Sequence, residues 1–364
     1  MSQIPLFKVF MAPEAPERVR EVLQSGFIGQ GPQVEAYERE FAELVESPRP
    51  VLSMNSCTSA LTLAYHLLGI GPGDEVITTP VSCLATNLPF LHCGAKIVWA
   101  DVCPWTGNID PEDVGQKVTE RTKAIVAVDW GGQSCDYTKL RRLGVPIVQD
   151  AAHSLLTRHH GKSIAESGGD LVCWSTQAIK NLSNGDGGML SVPEDQYERA
   201  KKLRWFGLDR TKGDSFRCSQ LIEEAGWKYQ LNDIAASIAR ANIPYMEETI
   251  RIQRENAEWY HQRLAGVPKI GTPLPDPGGA WWLYTIHVQE QRRDDLIRYL
   301  NERGIGASPV HVRNDIHPPF KAFVADLPGV TYFQNSQLSI PCGWWVSESD
   351  RERVADTLEA WARK

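Results

Sequence analysis

Between residues 50 and 195, short runs of β-branched and other apolar residues alternate with longer stretches that are apolar at helical spacing. The runs are "EVITTP", "AKIVWADV", "KAIVAVDW", "VPIVQD", "DLVCWST" and "GGMLSV", and several are apolar on both faces. A strand covered by helices above and below has no polar face to show, so this pattern predicts a largely parallel sheet between two helical layers. "CTSALTLAYHLLG" and "CLATNLPFLHCG" read as helices, from apolar positions three and four apart. After the polar, glycine-containing loop "FGLDRTKGDSFRCSQ" comes a long amphipathic helical region, "NDIAASIARANIPYMEETIRIQRENAEWYHQRL". A break is expected before Pro244, which lacks the N–H that continues a helix. The C-terminal part restarts a mixed rhythm: strand "WLYTIHVQ", helix "RRDDLIRYLNERG", strands "GASPVHV" and "QLSIPCG", and helix "SESDRERVADTLEAWARK". The chain therefore reads as α/β, with a large domain over residues 1–248 and a smaller α+β domain over residues 249–364.

A length of 364 residues exceeds what one core usually supports, which agrees with two domains. The composition, 42% hydrophobic and 23% charged, contains no apolar run approaching the roughly 20 residues that span a bilayer, so membrane insertion is not expected. The start, "MSQIPLFKVFMAPEAPERVREVL", lacks the basic, apolar and small-residue segments of a secretory signal, and the cytoplasm is the expected location. Eight cysteines, at 57, 83, 93, 103, 135, 173, 218 and 342, are scattered with no CxxC pair. They read as free thiols, with no metal site expected. A net charge of −7 argues against nonspecific nucleic-acid binding but leaves room for a small anionic ligand held by a few local donors.

Candidate chemistry centres on "STQAIKNLSNGDGGML", residues 175–190. It reads as a strand end, a lysine among small and amide residues, and a glycine-rich turn into another strand. Burying an ammonium costs several kcal/mol unless it is paired or neutralised, so Lys180 needs a reason to be there. Thirty positions earlier, "VPIVQDAAHS" ends a buried strand in Asp150, with His153 just beyond. Ligands of open α/β sheets bind at the carboxyl ends of strands, although Asp150 also reads as a helix cap. In "MNSCTSALTLA", Asn55, Ser56 and Thr58 offer either a simple N-cap or an anion site at a helix start. "GIGPGDE" precedes a strand and is a turn, not a dinucleotide loop. A carboxylate, an imidazole, a lysine and a phosphate-accepting helix end match pyridoxal 5'-phosphate. Its aldehyde condenses with a neutral lysine amine, its ring nitrogen needs a carboxylate partner, and its phosphate suits a helix N-terminus. "HVRNDIH" adds His311, Arg313, Asn314 and His317, in which Arg313 either clamps a diphosphate or carboxylate or belongs to a solvated surface loop. Trp130, Trp281, Trp282, Trp344 and Trp345 read mainly as packing.

The stretches "FIGQGPQVEAYEREFAEL", "NSCTSALTLA", "VQDAAHS", "GDLVCWSTQAIKNLSNGDGGML", "GWKYQLNDIAASIA", "GIGASPVHVRND" and "LSIPCG" occur in that order. In this the chain resembles the sugar-nucleotide aminotransferases of the DegT/StrS family over nearly its whole length. The resemblance implies a fold type I pyridoxal-phosphate enzyme with a mostly parallel seven-stranded sheet in its large domain. It implies that Lys180 is the Schiff-base lysine, that Asp150 partners the ring nitrogen and that His153 contacts the 3-hydroxyl. Cys57, Thr58 and Ser175 fall on phosphate-binding positions. Lys228 falls where the neighbouring subunit donates a residue to the phosphate, which implies a homodimer with shared sites. Gln30 joins His311, Arg313, Asn314 and His317 as the expected substrate-binding set. Two positions depart from the family pattern: Cys83 stands where an aromatic residue commonly stacks on the ring, and Cys57 replaces a glycine. The lysine is retained where some relatives carry histidine and act as sugar dehydratases. The expected activity is transfer of an amino group, with glutamate as donor, to a nucleotide-linked keto sugar by ping-pong kinetics. A keto-cyclitol or other nucleotide-free acceptor is the alternative, and a non-catalytic regulator with this fold is a further one.

Overall fold

The computed structural model describes residues 3–210 and 219–364; Cys218 and the rest of the predicted loop over 211–218 lie outside them. Helices α1 (Ala15–Ser25) and α2 (Pro32–Leu44) precede β1 (Val51–Met54). Helices and strands then alternate as α3 (Cys57–Leu67), β2 (Glu75–Thr78), α4 (Leu84–Cys93), β3 (Lys96–Trp99), α5 (Pro111–Lys117), β4 (Thr122–Val128), α6 (Tyr137–Arg141) and β5 (Ile147–Asp150). A hairpin of β6 (Arg158–His159) and β7 (Lys162–Ser163), with the single turn α7 (Ile164–Ser167), leads to β8 (Leu171–Ser175) and β9 (Gly188–Ser191).

Seven of these strands form one sheet in the order β1-β9-β8-β5-β4-β2-β3. Only β9 runs against its neighbours; the other pairings are parallel. The six predicted runs are its strands β2, β3, β4, β5, β8 and β9. The seventh, β1, is short and follows Pro50, and it forms by tertiary pairing, with Val51 opposite Ser191 and Met54 opposite Gly188. Along β4 the side chains alternate as the pleat requires. Val126 packs in the cluster that holds Leu61 and Ala64 of α3, and Ile125 and Ala127 in the cluster that holds Tyr137 and Leu140 of α6. Both faces are dry, which is why these runs show no polar alternation.

The long amphipathic region divides where Pro244 predicts. After α8 (Tyr197–Leu203) come α9 (Asp233–Asn242), a tight turn over Ile243–Tyr245, and α10 (Met246–Leu264). Glu248, the predicted domain limit, lies in the first turn of α10. A second, antiparallel sheet of β10 (Ile270–Gly271), β11 (Tyr284–Val288) and β12 (Gln337–Ile340) is covered by α11 (Glu290–Asn301), α12 (Pro328–Ser336) and α13 (Glu348–Ala362). Its own core includes Leu296, Leu338, Leu358 and Trp361. "GASPVHV" is not the predicted strand. Within it only Ser308 forms an isolated bridge, to Ser339, and Ile305 just before it bridges Ile4, because Pro309 removes the donor that would extend the ladder. Among the described residues no helix is long and apolar enough to cross a membrane.

Candidate active site

β4, β5 and β8 run parallel in register, with Val128 opposite Asp150 and Asp150 opposite Cys173, so their carboxyl ends open on one edge of the sheet. There a cavity of about 320 Å³ is walled by Asp150, His153, Ser175, Lys180, the start of α3 and His311, a size at the lower end for small-molecule sites. The loop from Thr176 to Gly187 folds back so that Thr176 N–H donates to the Gly187 carbonyl, 3.0 Å away. Glycine is required here, because a Cβ on Gly188 would stand 2.6 Å from the backbone nitrogen of Cys57 and one on Gly187 2.4 Å from Thr176 Oγ1. The "GDGG" turn thus lets the lysine loop lie against the helix start.

Lys180 is half-buried, with its Nζ 3.5 Å from the centre of the Trp282 ring. Burial pushes its amine from 10.5 down to about 8, with the Asp150 carboxylate pulling the other way. Asp150 accepts from Thr86 Oγ1 at 2.6 Å and from Ala152 N–H at 3.1 Å. Burial raises its carboxyl above the usual range, against those hydrogen bonds and Lys180. His153 Nδ1 lies 3.2 Å from Gly131 N–H and accepts from it, so the neutral ring carries its proton on Nε2. Burial, with Lys180 and His311 adding, holds that imidazole well below its ordinary range. Its ring stacks on Trp282 at 4.1 Å between centroids, and Trp282 stacks in turn on Phe7 at 5.0 Å. The buried Nε2 of His311 has no hydrogen-bond partner among the described residues, which in a native fold calls for a ligand or a role.

At the start of α3, Ser56 accepts from Ser59 N–H at 3.1 Å and caps the helix. That cap leaves the amides of Cys57 and Thr58 at the cavity with the positive end of the helix dipole behind them. These donors suit a phosphate, the amine suits an aldehyde, and Asp150 suits a protonated ring nitrogen, so the residues present fit pyridoxal phosphate.

The model of the "DegT/DnrJ/EryC1/StrS aminotransferase family" matches residues 11–359. This chain belongs to that family. It is a pyridoxal-phosphate-dependent aminotransferase. It is 33% identical to "Spore coat polysaccharide biosynthesis protein SpsC" of Bacillus subtilis, over 98% of this chain and 96% of that one. It is 32% identical to the "dTDP-4-dehydro-2,3,6-trideoxy-D-glucose 4-aminotransferase" of Saccharopolyspora spinosa, over 85% of each. The crystal structure of sugar aminotransferase CalS13 from Micromonospora echinospora superposes with a TM-score of 0.93 at 34% identity, covering 98% of this chain and 99% of that one.

In this DegT-type aminotransferase the cavity gathers Cys57, Thr58, Cys83, Asp150, His153, Ser175, Lys180 and His311 from the predicted set. Cys83 is exposed at the N-cap of α4. Other predicted residues lie elsewhere. Gln30 is on a separate groove, its side-chain carbonyl held by Arg210. Lys228 is exposed, with its ammonium over Trp205 and outside the cavity wall of its own chain. Arg313 grips Asp315 through Nε at 2.7 Å and a terminal nitrogen at 2.6 Å, and its other terminal nitrogen donates to Thr331. Clamping a diphosphate would require leaving that pair. Asn314 is fully buried: its Oδ1 accepts from Asn87 and its Nδ2 donates to the Ser82 carbonyl, both at 2.8 Å. Its amide is unable to face a substrate. His317 sits half-buried outside the cavity wall. Sequence reasoning missed Phe7, which carries no local signal, and took Trp282 for packing because a tandem tryptophan looks the same in either role.

Proposed function

We propose that this aminotransferase moves the amino group of an amino acid, glutamate by preference, to the keto carbon of a nucleotide-linked sugar. The observation that carries the reading is a single desolvated amine, Lys180, poised near neutrality beside Asp150 in one cavity. The dTDP-keto-sugar activity by which a relative at 32% identity is named supports the nucleotide-linked acceptor over a free cyclitol. The cofactor, when bound, supplies a carbonyl that takes up and passes on the amino group and a ring that stores the electrons released meanwhile.

The chain's own residues do the rest. The amides of Cys57 and Thr58 with the Ser175 hydroxyl hold the phosphate. Asp150 keeps a negative charge at the ring nitrogen, and the Nε2–H of His153 donates to the ring's phenolic oxygen. Lys180 Nζ, neutral in an appreciable fraction near pH 8, takes the proton from the α-carbon of the amino donor. In the second half-reaction it gives a proton to the sugar carbon that becomes amine-bearing. Phe7 and Trp282 close the cavity and keep water from the amine. The large domain over residues 1–248 carries these groups except Trp282, and the small domain over 249–364 contributes Trp282 and, to the acceptor side, His311. The working unit is a cytoplasmic homodimer, in which Lys228 of one copy reaches the phosphate of the other.

Borohydride reduction followed by peptide mapping tests the reading: it predicts a pyridoxyl adduct on Lys180, and its absence there would overturn the assignment. A panel of keto sugars with glutamate, read by mass spectrometry, tests the acceptor. Equal turnover of nucleotide-free ketones would favour the cyclitol alternative.

A further inference from the structure

Asp150 does not stand alone in its dry surroundings. Thr86 Oγ1 lies 2.6 Å from its Oδ2, and Ser82 Oγ lies 2.5 Å from Thr86 Oγ1. Thr86 is completely buried, and Ser82 is almost so. A threonine hydroxyl has one hydrogen, and an ionised carboxylate accepts only, so the Thr86 hydrogen goes to Asp150 and Ser82 must donate to Thr86. The order Ser82 to Thr86 to Asp150 is therefore fixed, and each donation polarises the next. The segment bearing these hydroxyls is itself held. Asn314 N–H donates to the Pro80 carbonyl, and the Asn314 side chain donates to the Ser82 carbonyl, each at 2.8 Å. Tyr65 donates to the Thr86 carbonyl at 3.0 Å.

From this geometry we infer that Thr86 is a positioning residue of the reaction: with Ser82 behind it, it keeps the Asp150 carboxylate ionised and aimed at the ring nitrogen. The inference rests on the reading of Asp150 given above. Burial alone would drive Asp150 to its neutral form, which cannot hold a proton on a pyridine. The titratable groups near enough to act on its charge are the Lys180 ammonium, the thiols of Cys57 and Cys173, and the phenols of Tyr65 and, from the other side of the sheet, Tyr137. Only Lys180 among them favours the charged carboxylate, and Lys180 must lose its proton to react. The carboxylate therefore needs a neutral donor that does not titrate, and a buried threonine hydroxyl is one.

The test uses holoenzyme reconstituted with pyridoxal phosphate isotope-labelled at the ring nitrogen, whose magnetic resonance reports protonation directly. Thr86→Val is expected to move that resonance toward the unprotonated position. It should also lower kcat roughly ten-fold or more, the scale of a lost hydrogen bond to a charged group, with the donor KM changed less than about two-fold. Thr86→Ser, which restores the hydroxyl, should return both, and Ser82→Ala should give an intermediate shift. A wild-type resonance in Thr86→Val, alongside a moved one in Asp150→Asn, would overturn the inference and leave the reading of Asp150 intact. An unmoved resonance in Asp150→Asn would overturn that reading and the inference with it. If Thr86→Val does not fold, Ser82→Ala decides: an unmoved ring-nitrogen resonance there overturns the inference.

Discussion

The strand-end cluster of Asp150, His153 and Lys180 and the loop cluster from His311 to His317 look equally chemical in the sequence, yet the fold treats them oppositely. Among the described residues the Lys180 amine makes no hydrogen bond and lies over an indole ring with the Asp150 carboxylate nearby, and His153 has an imidazole N–H in reserve. In the loop, Arg313 and Asn314 are engaged by Asp315, Thr331, Asn87 and Ser82. Residue type and spacing nominate candidates; whether their polar atoms are already satisfied separates chemistry from scaffold. His311 sides with the first cluster, since its buried Nε2 is without a partner.

The largest effect should come from removing the amine. Lys180→Ala is expected to lower transamination by on the order of 10³-fold or more, since nucleophile and proton shuttle vanish together. Stability should not fall, because a desolvated ammonium is lost without a compensating ion pair. Residual activity within ten-fold of wild type in a steady-state assay would remove Lys180 from the mechanism.

Next in size is the pH dependence of the apoenzyme. The folded Lys180 amine titrates near 8, against an ordinary 10.5. Between those values the unfolded chain binds the proton that the folded chain has released, so this group's contribution to stability rises with pH across that window and is flat below it. Capture of pyridoxal phosphate needs the neutral amine, and its rate should climb about ten-fold per pH unit below 8 and level off above. Stopped-flow absorbance checks this, and a rise that continues past pH 10 would mean an unperturbed lysine.

Asn314 sharpens the contrast from the other side. Asn314→Ala strands the Asn87 amide and the Ser82 carbonyl in a buried place, at a cost of roughly 2–4 kcal/mol. Denaturant unfolding should show that loss while KM for the keto substrate changes less than about two-fold. A stable variant with a KM raised ten-fold would return Asn314 to the substrate site.

Much of this was legible beforehand. Six strands of the large sheet follow from apolar runs, because a sheet buried on both faces writes a continuous signal. The break at Pro244 follows from one missing N–H. Asp150 and Lys180 stood out as polar residues at the ends of apolar runs. What was not legible depended on distant partners. β1 exists because β9 offers it a ladder, and "GASPVHV" fails as a strand because Pro309 denies β12 a donor. Arg313 is committed to an aspartate only two positions away, but its engagement with Thr331 and the burial of Asn314 come from segments far along the chain. Thr86 looked like one more helix residue in "CLATN" until the fold set it against Asp150.

The smallest predicted effect concerns Trp282. Its ring face lies 3.5 Å from Lys180 Nζ, and its Nε1 donates to the carbonyl of Ile179 at 3.0 Å, so the indole is fixed while it meets the ammonium. A cation over an aromatic face is favoured by about 0.5–2 kcal/mol, more for indole than for benzene. The ring therefore works against burial by stabilising the charged amine. Trp282→Phe keeps a face but a poorer one and drops the tether to Ile179, so the midpoint of cofactor capture should move below 8 by less than about one pH unit. The same variant should leave the midpoint of thermal unfolding within a few degrees, since Phe7 and His153 still have a ring to stack on. A midpoint that moves upward instead would mean that the indole's main action is to exclude water from the amine, so that exposure outweighs the lost attraction.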